Sequence, residues 1–224
     1  MLPLKDINQP SRFPIITVLF IILNSAVWIY SITLGNNFER FIKEFGLTPA
    51  NIIKSPQNII THMFLHGNWF HIISNMWVLW IFGDNVEDRM GRIRYIIFYF
   101  LCGCGAAFTQ IAVSFIFGSK DIPMVGASGA ISGVLAAYMK FFPKARILSL
   151  VFFFFFVSLA EIPSIIFIGF WFISQVINGM LTLPFAGIGG VAWWAHIGGF
   201  ITGIYLTKKF KKNTKRRIIV VRYH

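Results

Sequence analysis

The sequence predicts an all-α fold, a polytopic membrane protein built as a bundle of six transmembrane helices. Its composition points to this class, since 56% of the 224 residues are hydrophobic and 12% are charged, against about 45–50% and about 25% in soluble domains. The apolar residues also come in long runs, as expected of segments that cross a lipid bilayer. A third observation, the one-sided distribution of the basic residues, gives the number of spans.

Six apolar segments are candidates for the spans. They are residues 14–34, 71–82, 95–117, 125–142, 162–181 and 191–207. With a rise of about 1.5 Å per residue, a helix over the first segment is about 30 Å long, which matches the hydrocarbon core. A cleaved signal peptide would have a shorter apolar core and a small-residue cleavage site, which this segment lacks. We therefore expect a helix that is retained.

Two further segments are expected to lie at the membrane surface without crossing. Residues 35–67 alternate charged and apolar side chains, the pattern of an interfacial outer loop. Residues 147–161 contain a short apolar run, which suits an interfacial or re-entrant segment better than a span. The predicted organisation is a cytoplasmic N-terminus over residues 1–13, a six-helix membrane domain over residues 14–207 and a basic cytoplasmic tail over residues 208–224.

The basic residues decide how many segments cross. If residues 147–161 do not cross, most Lys and Arg residues share one face, in the N-terminus, in the loops after the second and fourth spans, and in the tail. Membrane proteins keep such residues on the cytoplasmic side. Six spans with both termini cytoplasmic satisfy this rule, whereas a seventh span would place the basic tail outside.

The net charge of +12 does not indicate a nucleic-acid partner. Seven Lys and Arg residues lie within residues 208–217, directly after the last apolar segment. This placement is typical of the cytoplasmic flank of a membrane helix. The expected surroundings are therefore a lipid bilayer and no nucleic acid, and the oligomeric state has no signature in the sequence.

The candidate catalytic residues begin with Ser128, in the stretch PMVGASGAISG at residues 123–133. Ser128 starts the fourth predicted helix at its outer end, and His196 lies in the first third of the sixth, which runs in the same direction. Both side chains are therefore expected at similar depth below the outer surface. A serine hydroxyl beside an imidazole is a nucleophile with its general base, and an ionisable residue inside a membrane is a functional candidate by default.

Glycines provide a way to bring these two helices together. Gly129 and Gly133 are four residues apart and share a helix face, and so do Gly199 and Gly203 of the last span. Small residues at this spacing let two helix backbones approach closely.

The second span contains candidate donors for an oxyanion. His71 and Asn75 are four residues apart, on one face at the outer start of the helix. Acyl transfer needs donors aimed at the developing negative oxygen, and both an imidazole and an amide can donate. The backbone N–H of Ser128, near a helix N-terminus, is a third donor.

At these positions the sequence resembles the rhomboid family of intramembrane serine proteases. GASGAISG, HGNWFHIISN and AHIGGFITG are similar to that family's GxSG, HxxxN and AHxxGxxxG motifs, on the fourth, second and sixth predicted helices. The resemblance covers residues 45–207. It implies a rhomboid-like bundle that hydrolyses peptide bonds as a serine endopeptidase with a Ser–His dyad and without a cofactor.

The resemblance also implies a role for each motif residue. Ser128 would be the nucleophile and His196 the general base. His71, Asn75 and the Ser128 backbone N–H would form the oxyanion hole. The motif glycines would shape the site and allow close helix packing; these are Gly126, Gly129, Gly133, Gly199 and Gly203.

Two positions depart from the family's pattern. Some members carry an aromatic residue four positions after the nucleophile, under the histidine, where this sequence has Ser132. Another side chain must then orient His196, and Trp193 and Trp194 are the candidates. Where the outer loop of the family often has Trp-Arg, this sequence has Pro-Gln-Asn at residues 56–58, which leaves the anchoring of the loop open.

The remaining histidines and the cysteines have simpler expected roles. His62 and His66 are four residues apart and could bind a metal, but no carboxylate that could serve as a base lies near them. We expect loop hydrogen bonds and no metal site. Cys102 and Cys104 point to different sides of a helix and are expected to pack between helices.

Polar residues within or at the ends of the spans are expected to serve structure. Asn24, Gln110 and Gln175 lie inside spans, where such residues form interhelical hydrogen bonds of about 1 kcal/mol or less. Glu87 and Asp88 follow the second span, next to arginines, and are expected to form local ion pairs there.

The expected substrate is a single-span membrane protein, cleaved where its helix is locally unwound, because helical carbonyl groups are hydrogen-bonded and shielded. The alternative is an inactive rhomboid-like adaptor that binds transmembrane helices in quality control. Loss of Ser128 or His196 would mark it, and both are present. A small-solute transporter is disfavoured because the chain lacks an inverted repeat. The compact chain without a transit peptide favours a prokaryotic plasma membrane.

Overall fold

The computed structural model describes residues 1–153, 156–188 and 190–211. Within these residues the chain is mostly helical, as predicted, with a small sheet added. The helices are α1 Ile15–Thr33, α2 Phe38–Phe45, α3 Asn58–Thr61, α4 Trp69–Met90, α5 Arg92–Phe117, α6 Ser128–Phe141, α7 Ser164–Thr182 and α8 Trp193–Phe210. The strands are β1 Leu2–Asp6, β2 Arg146–Phe153 and β3 Phe156–Pro163.

Three helical segments of the described chain are long and apolar enough to cross a membrane. They are Ile15–Thr33, Arg92–Phe117 and Ser164–Phe185, the last being α7 with its 3-10 extension. Two other helices do not meet these requirements. The C-terminal end of α4 is charged, and α6 has only 14 residues. The count of six spans therefore remains a prediction.

The charged end of α4 holds the start of α1. The Glu87 carboxylate accepts hydrogen bonds from the backbone N–H of Ile16 at 3.1 Å and of Thr17 at 2.9 Å, and from the Thr17 hydroxyl at 3.0 Å. The first N–H groups of a helix have no partner within it, and a carboxylate is favourable there. Glu87 thus caps another helix, where the sequence predicted a local ion pair.

α6 is the central helix of the bundle. Every residue from 129 to 138 is buried, and the helix contacts α4, α5, α7 and α8. Its many Gly, Ala and Ser residues leave room for neighbours on all sides. The helix that begins with Ser128 is therefore fixed by the whole bundle.

α6 and α8 meet through their glycines. A Cβ atom placed on Gly203 would lie 2.6 Å from the Cα atom of Gly133, and one placed on Gly199 would overlap the backbone oxygen of Gly129. Both glycine pairs therefore lie at the contact, and the helices that carry the candidate nucleophile and base touch along their backbones.

Residues 147–161 were predicted as an interfacial or re-entrant segment of an all-α fold, and the described residues of this segment lie in two antiparallel strands. β2 and β3 are antiparallel with Arg146 opposite Pro163, and β1 pairs with the other edge of β2, with Leu2 opposite Leu150. The prediction missed the sheet because a short, continuous apolar run has no alternation that separates a strand from a helix. Its Ile, Val and Phe residues favour the strand.

β1 is held against α4 and α6. The indole N–H of Trp77 donates to the backbone oxygen of Pro3 at 2.7 Å. The Asn85 amide and the Tyr138 hydroxyl donate to Asp6 Oδ2 at 2.7 and 2.8 Å. Burial raises the pKa of Asp6 to about 6. The N-terminal segment, for which the sequence predicted only a cytoplasmic location, is thus part of the fold.

Candidate active site

Ser128 is the first residue of α6. Two residues before it lies Gly126, at a position where any other residue would be strained. Gly126 has φ +122°, a conformation that side chains other than hydrogen rarely allow. A Cβ atom at Gly126 would lie 2.6 Å from His71 Nε2 and 3.7 Å from Ser128 Oγ. The imidazole of His71 therefore packs over Gly126 and beside the serine hydroxyl.

The structure brings Ser128 and His196 into direct contact. His196 Nε2 lies 2.8 Å from Ser128 Oγ, which is the distance of a good hydrogen bond. α8 supplies the histidine in its first turn, where its backbone passes that of α6. In this arrangement the hydroxyl can donate its proton directly to the imidazole.

Gln175, for which the sequence predicted an ordinary interhelical hydrogen bond, holds the other side of the imidazole. Gln175 Oε1 on α7 lies 2.8 Å from His196 Nδ1. The two tryptophans expected to orient His196 do not occupy this position; the ring of Trp193 is perpendicular to the imidazole at 6.1 Å. Ser132, which stands where some family members have an aromatic residue, donates instead to the backbone oxygen of Ser128 at 2.6 Å.

Gln175 was not recognised because a glutamine inside a span can bond to any neighbour. Gln110 illustrates the ordinary interhelical case, since its side-chain oxygen accepts from the backbone N–H of Ala195 at 3.2 Å. Asn24 does not bridge helices through its amide N–H, which donates to Phe20 of its own helix.

His71 is oriented by the start of α4. The side chain of Asn68 caps the helix by accepting from the His71 backbone N–H at 2.8 Å, as N-cap residues do. The backbone N–H of Gly67 points at His71 Nδ1 at 3.5 Å. His71 Nε2 is the ring nitrogen that packs over Gly126.

Asn75 presents an unused donor. Its side-chain nitrogen is buried and has no hydrogen-bond partner within the described part of the chain. Buried amide groups are nearly always paired, so this nitrogen is available to an acceptor in the cavity that Asn75 lines.

One cavity joins these side chains. It has a volume of about 660 Å³ and is lined by Ser128, His196, His71 and Asn75, within the usual range of ligand sites. α4, α6, α7 and α8 form its walls, and Pro3 of β1 lines it as well. The cavity therefore offers a nucleophile, a base and donors to a single ligand.

The outer loop is anchored without the Trp-Arg pair whose absence left its attachment open. The buried Asn58 side chain donates to the backbone oxygens of Glu44 and Gly46 at 2.9 and 2.8 Å. His62 Nδ1 lies 2.8 Å from the Asn58 backbone oxygen, and the His62 backbone oxygen accepts from Gly126 at 2.9 Å. These bonds tie the loop to Gly126, two residues before the candidate nucleophile.

The chain is similar to known proteins over most of its length. Residues 54–213 match the family profile described as Rhomboid domain. Rhomboid protein 1, mitochondrial, of Saccharomyces cerevisiae is 28% identical over 190 residues, which cover 80% of this chain and 50% of that protein. Presenilin-associated rhomboid-like protein, mitochondrial, of Bos taurus is 27% identical over 192 residues, which cover 82% of this chain and 46% of that protein.

The chain spans half or less of the length of these relatives. By their names, both are mitochondrial proteins, which contradicts the predicted location in a prokaryotic plasma membrane with cytoplasmic termini. That prediction rested on the size of the chain and its first residues, and neither feature determines the compartment.

Proposed function

Because the chain belongs to the rhomboid family, we propose that it is an intramembrane serine endopeptidase that works with a dyad of Ser128 and His196. The observation that carries the proposal is the 2.8 Å contact between Ser128 Oγ and His196 Nε2. A hydroxyl that is hydrogen-bonded to an imidazole, whose far nitrogen is itself held, is the arrangement that activates a serine.

In the proposed reaction, Ser128 Oγ attacks the carbonyl carbon of the scissile peptide bond while its proton passes to His196 Nε2. The C–N bond then breaks as His196 gives this proton to the leaving amine. A water molecule, deprotonated by His196, attacks the resulting ester and releases the new carboxyl end. Ser128 recovers its proton from His196, so the enzyme is regenerated.

The negative oxygen formed in each step needs donors that are in place beforehand. The unpaired Asn75 amide, the His71 ring and the Ser128 backbone N–H are assigned this role, which agrees with the position of Asn75 and His71 in the cavity wall. One donor of this kind is worth a factor of about 10²–10³ in rate.

The proposed substrate is a transmembrane segment of another protein, and the proposed setting is a bundle of six spans in a lipid bilayer. A helix in lipid pairs all its own carbonyl groups, so the segment must unwind before a carbonyl reaches Ser128. The cavity of about 660 Å³ has room for a short piece of extended peptide.

The names of the relatives favour a mitochondrial membrane as the place of action. Fractionation of cells that express a tagged chain tests this. Recovery of the chain with mitochondrial membranes is expected, and recovery in another membrane would contradict the assignment.

The test of the activity is cleavage of a single-span substrate by the purified protein in liposomes. We expect the wild type to cleave and Ser128→Ala to abolish cleavage. Ser31→Ala is a matched control, because Ser31 is buried in α1 and its hydroxyl donates to the backbone oxygen of Trp28 in the same helix. Substrate binding without cleavage by the wild type would indicate the inactive adaptor. Cleavage that survives Ser128→Ala and stops with a chelator would indicate a metal enzyme.

A further inference from the structure

We propose that Gln175 is a positioning residue that fixes the tautomer and the orientation of His196. This inference rests on the proposed function, because it assigns a third member to the same site. It is carried by a chain of hydrogen bonds that runs from the backbone of α7 to the hydroxyl of Ser128.

The first link fixes the direction of the Gln175 amide. Its side-chain nitrogen lies 3.0 Å from the backbone oxygen of Trp171 and 2.9 Å from Ser174 Oγ. A backbone oxygen can only accept a hydrogen bond, so the NH₂ group must face Trp171. The carbonyl oxygen of the Gln175 side chain must then face His196.

The second link fixes the proton on the imidazole. Gln175 Oε1 can only accept, and it lies 2.8 Å from His196 Nδ1, so Nδ1 must carry the hydrogen of the neutral ring. Nε2 is left with its lone pair, 2.8 Å from Ser128 Oγ. This is the tautomer that can accept the serine proton, and the opposite tautomer cannot act as a base toward Ser128.

The geometry gives Gln175 the task that a carboxylate performs in soluble serine hydrolases, where loss of the correct tautomer is costly. A neutral amide suits this position, because an ionised carboxylate without a charged partner is expensive inside a membrane. Gln175 is buried, and among the described residues His71 of α4 is the other titratable side chain that lines the cavity with His196.

The neighbouring aromatic rings do not hold His196 in place of Gln175. Trp171 is tilted against the imidazole with ring centroids 6.1 Å apart, which is beyond close stacking. Ser132 bonds to the backbone of α6. Within the described chain, the direct partners of the His196 ring are thus Gln175 on one nitrogen and Ser128 on the other.

The test compares Gln175→Leu, Gln175→Met and Gln175→Glu in the cleavage assay. For Leu and Met we expect kcat to fall by about 10- to 100-fold, the usual effect of losing a group that orients a functional histidine. KM should change less than about threefold, because Gln175 is not among the described residues that line the cavity. Met matches Gln in length and guards against a packing effect.

Gln175→Glu adds a second measurement, the pH–rate profile, which should not change if Gln175 has a purely structural role. The carboxylate of this variant accepts the same hydrogen bond, and the protonated His196 is the charged partner that its ionised form requires, so the protonated imidazole is favoured. Activity should therefore be kept within about tenfold, with the acid limb of the pH–rate profile moved to higher pH. An unmoved limb would contradict the contact with His196.

Asn178→Leu is the matched control, since Asn178 lies one turn further on α7 and its side-chain amide donates to the backbone oxygen of Ser174. It should cleave within about twofold of the wild type. Gln175→Leu and Gln175→Met with wild-type kcat, or losses no larger than that of Asn178→Leu, would overturn the inference and leave the dyad intact. A wild-type protein that neither cleaves nor reacts with a serine-directed phosphonate would overturn the proposed function and this inference together.

Discussion

Among the residues of the site, Asn75 has a buried side-chain donor that lacks an acceptor. Its amide nitrogen is buried and unpaired within the described chain, and such a donor costs roughly 1–3 kcal/mol. A group of this kind is useful when its acceptor exists only during the reaction. An oxyanion in the cavity is such an acceptor, because the resting carbonyl oxygen lies elsewhere.

Replacing Asn75 by leucine should therefore separate activity from stability. We expect kcat to fall by about 10²–10³ with little change in KM. Thermal unfolding should occur at the same or a higher temperature, because the unpaired donor is gone. Kinetics and a melting curve on the same preparation check both parts.

Asn24→Leu is the control, since Asn24 is buried in α1, does not line the cavity, donates to Phe20 and has a side-chain oxygen that is unpaired within the described chain. It should keep kcat. Full activity of Asn75→Leu would remove Asn75 from the oxyanion hole.

Single residues were predictable where a short motif restricts them. Ser128, His196 and His71 were assigned to one site from their spacing, and the structure brings them together around one cavity; their catalytic roles stay predictions. The role of Gln175 could not be predicted, because it depends on which nitrogen of His196 the Gln175 side chain contacts. No local pattern encodes that contact between α7 and α8.

At the scale of elements, the contact of α6 with α8 determines whether the dyad can form. The Gly129–Gly133 face meets the Gly199–Gly203 face at backbone distance. Any side chain at this contact must push the helices apart, and His196 would then move away from Ser128.

Gly199→Ala tests this contact. The added methyl group would overlap the backbone oxygen of Gly129, which cannot move without shifting α6. We expect a loss of about 1–3 kcal/mol in the free energy of unfolding, the usual cost of overpacking, together with a loss of cleavage.

Gly169→Ala is the matched change on α7, where a Cβ atom would meet nothing within 4 Å. It should leave stability unchanged or slightly raised, because alanine favours helix. Equal behaviour of the two variants in thermal unfolding would contradict the packing described here.

Elements were predictable where hydrophobic length is decisive. α1, α5 and α7 follow from long apolar runs and meet the requirements of a span. The three-stranded sheet was not predicted. β1 and β2 pair although most of the chain separates them in sequence, and no local sequence pattern indicates such a pairing. α4 continues past its apolar part, and Glu87 in this continuation accepts hydrogen bonds from the first backbone N–H groups of α1.

At the scale of the whole molecule, the outer loop couples folding to pH through two buried histidines. Burial lowers the pKa of His62 to about 4 and that of His66 to about 3, from an ordinary value of 6.5. The unfolded chain takes up protons as the pH falls through 6.5, whereas the folded loop stays neutral. The stability due to these side chains is therefore complete above pH 6.5 and is lost as the pH falls toward 4.

Between pH 7.5 and pH 4.5 the loss of stability from His62 alone is roughly 3 kcal/mol, whereas Asp6, whose pKa burial raises to about 6, stabilises the folded state as the pH falls and opposes this loss. His62→Asn keeps a donor for the Asn58 backbone oxygen and removes one titrating group, so we expect this variant to lose less stability than the wild type over the same change of pH. Thermal unfolding in detergent between pH 4 and 8 checks this. Identical pH dependence of the two proteins would contradict the burial of a neutral His62.

The overall class was predictable from composition, because few folds other than a membrane bundle use so much apolar sequence. Residues 54–213 carry the family assignment. The compartment was not predictable, since charge asymmetry gives orientation across a membrane and does not say which membrane.

The most direct measurement of the central claim is labelling of the purified protein with a fluorophosphonate, followed by mass spectrometry of its peptides. The account predicts that the phosphonate forms a covalent bond to Ser128, that the His196→Ala variant labels at least about 100-fold more slowly, and that heat-denatured protein does not label. A native protein that cleaves its substrate while Ser128 stays unlabelled, or that labels equally fast without His196, would contradict it.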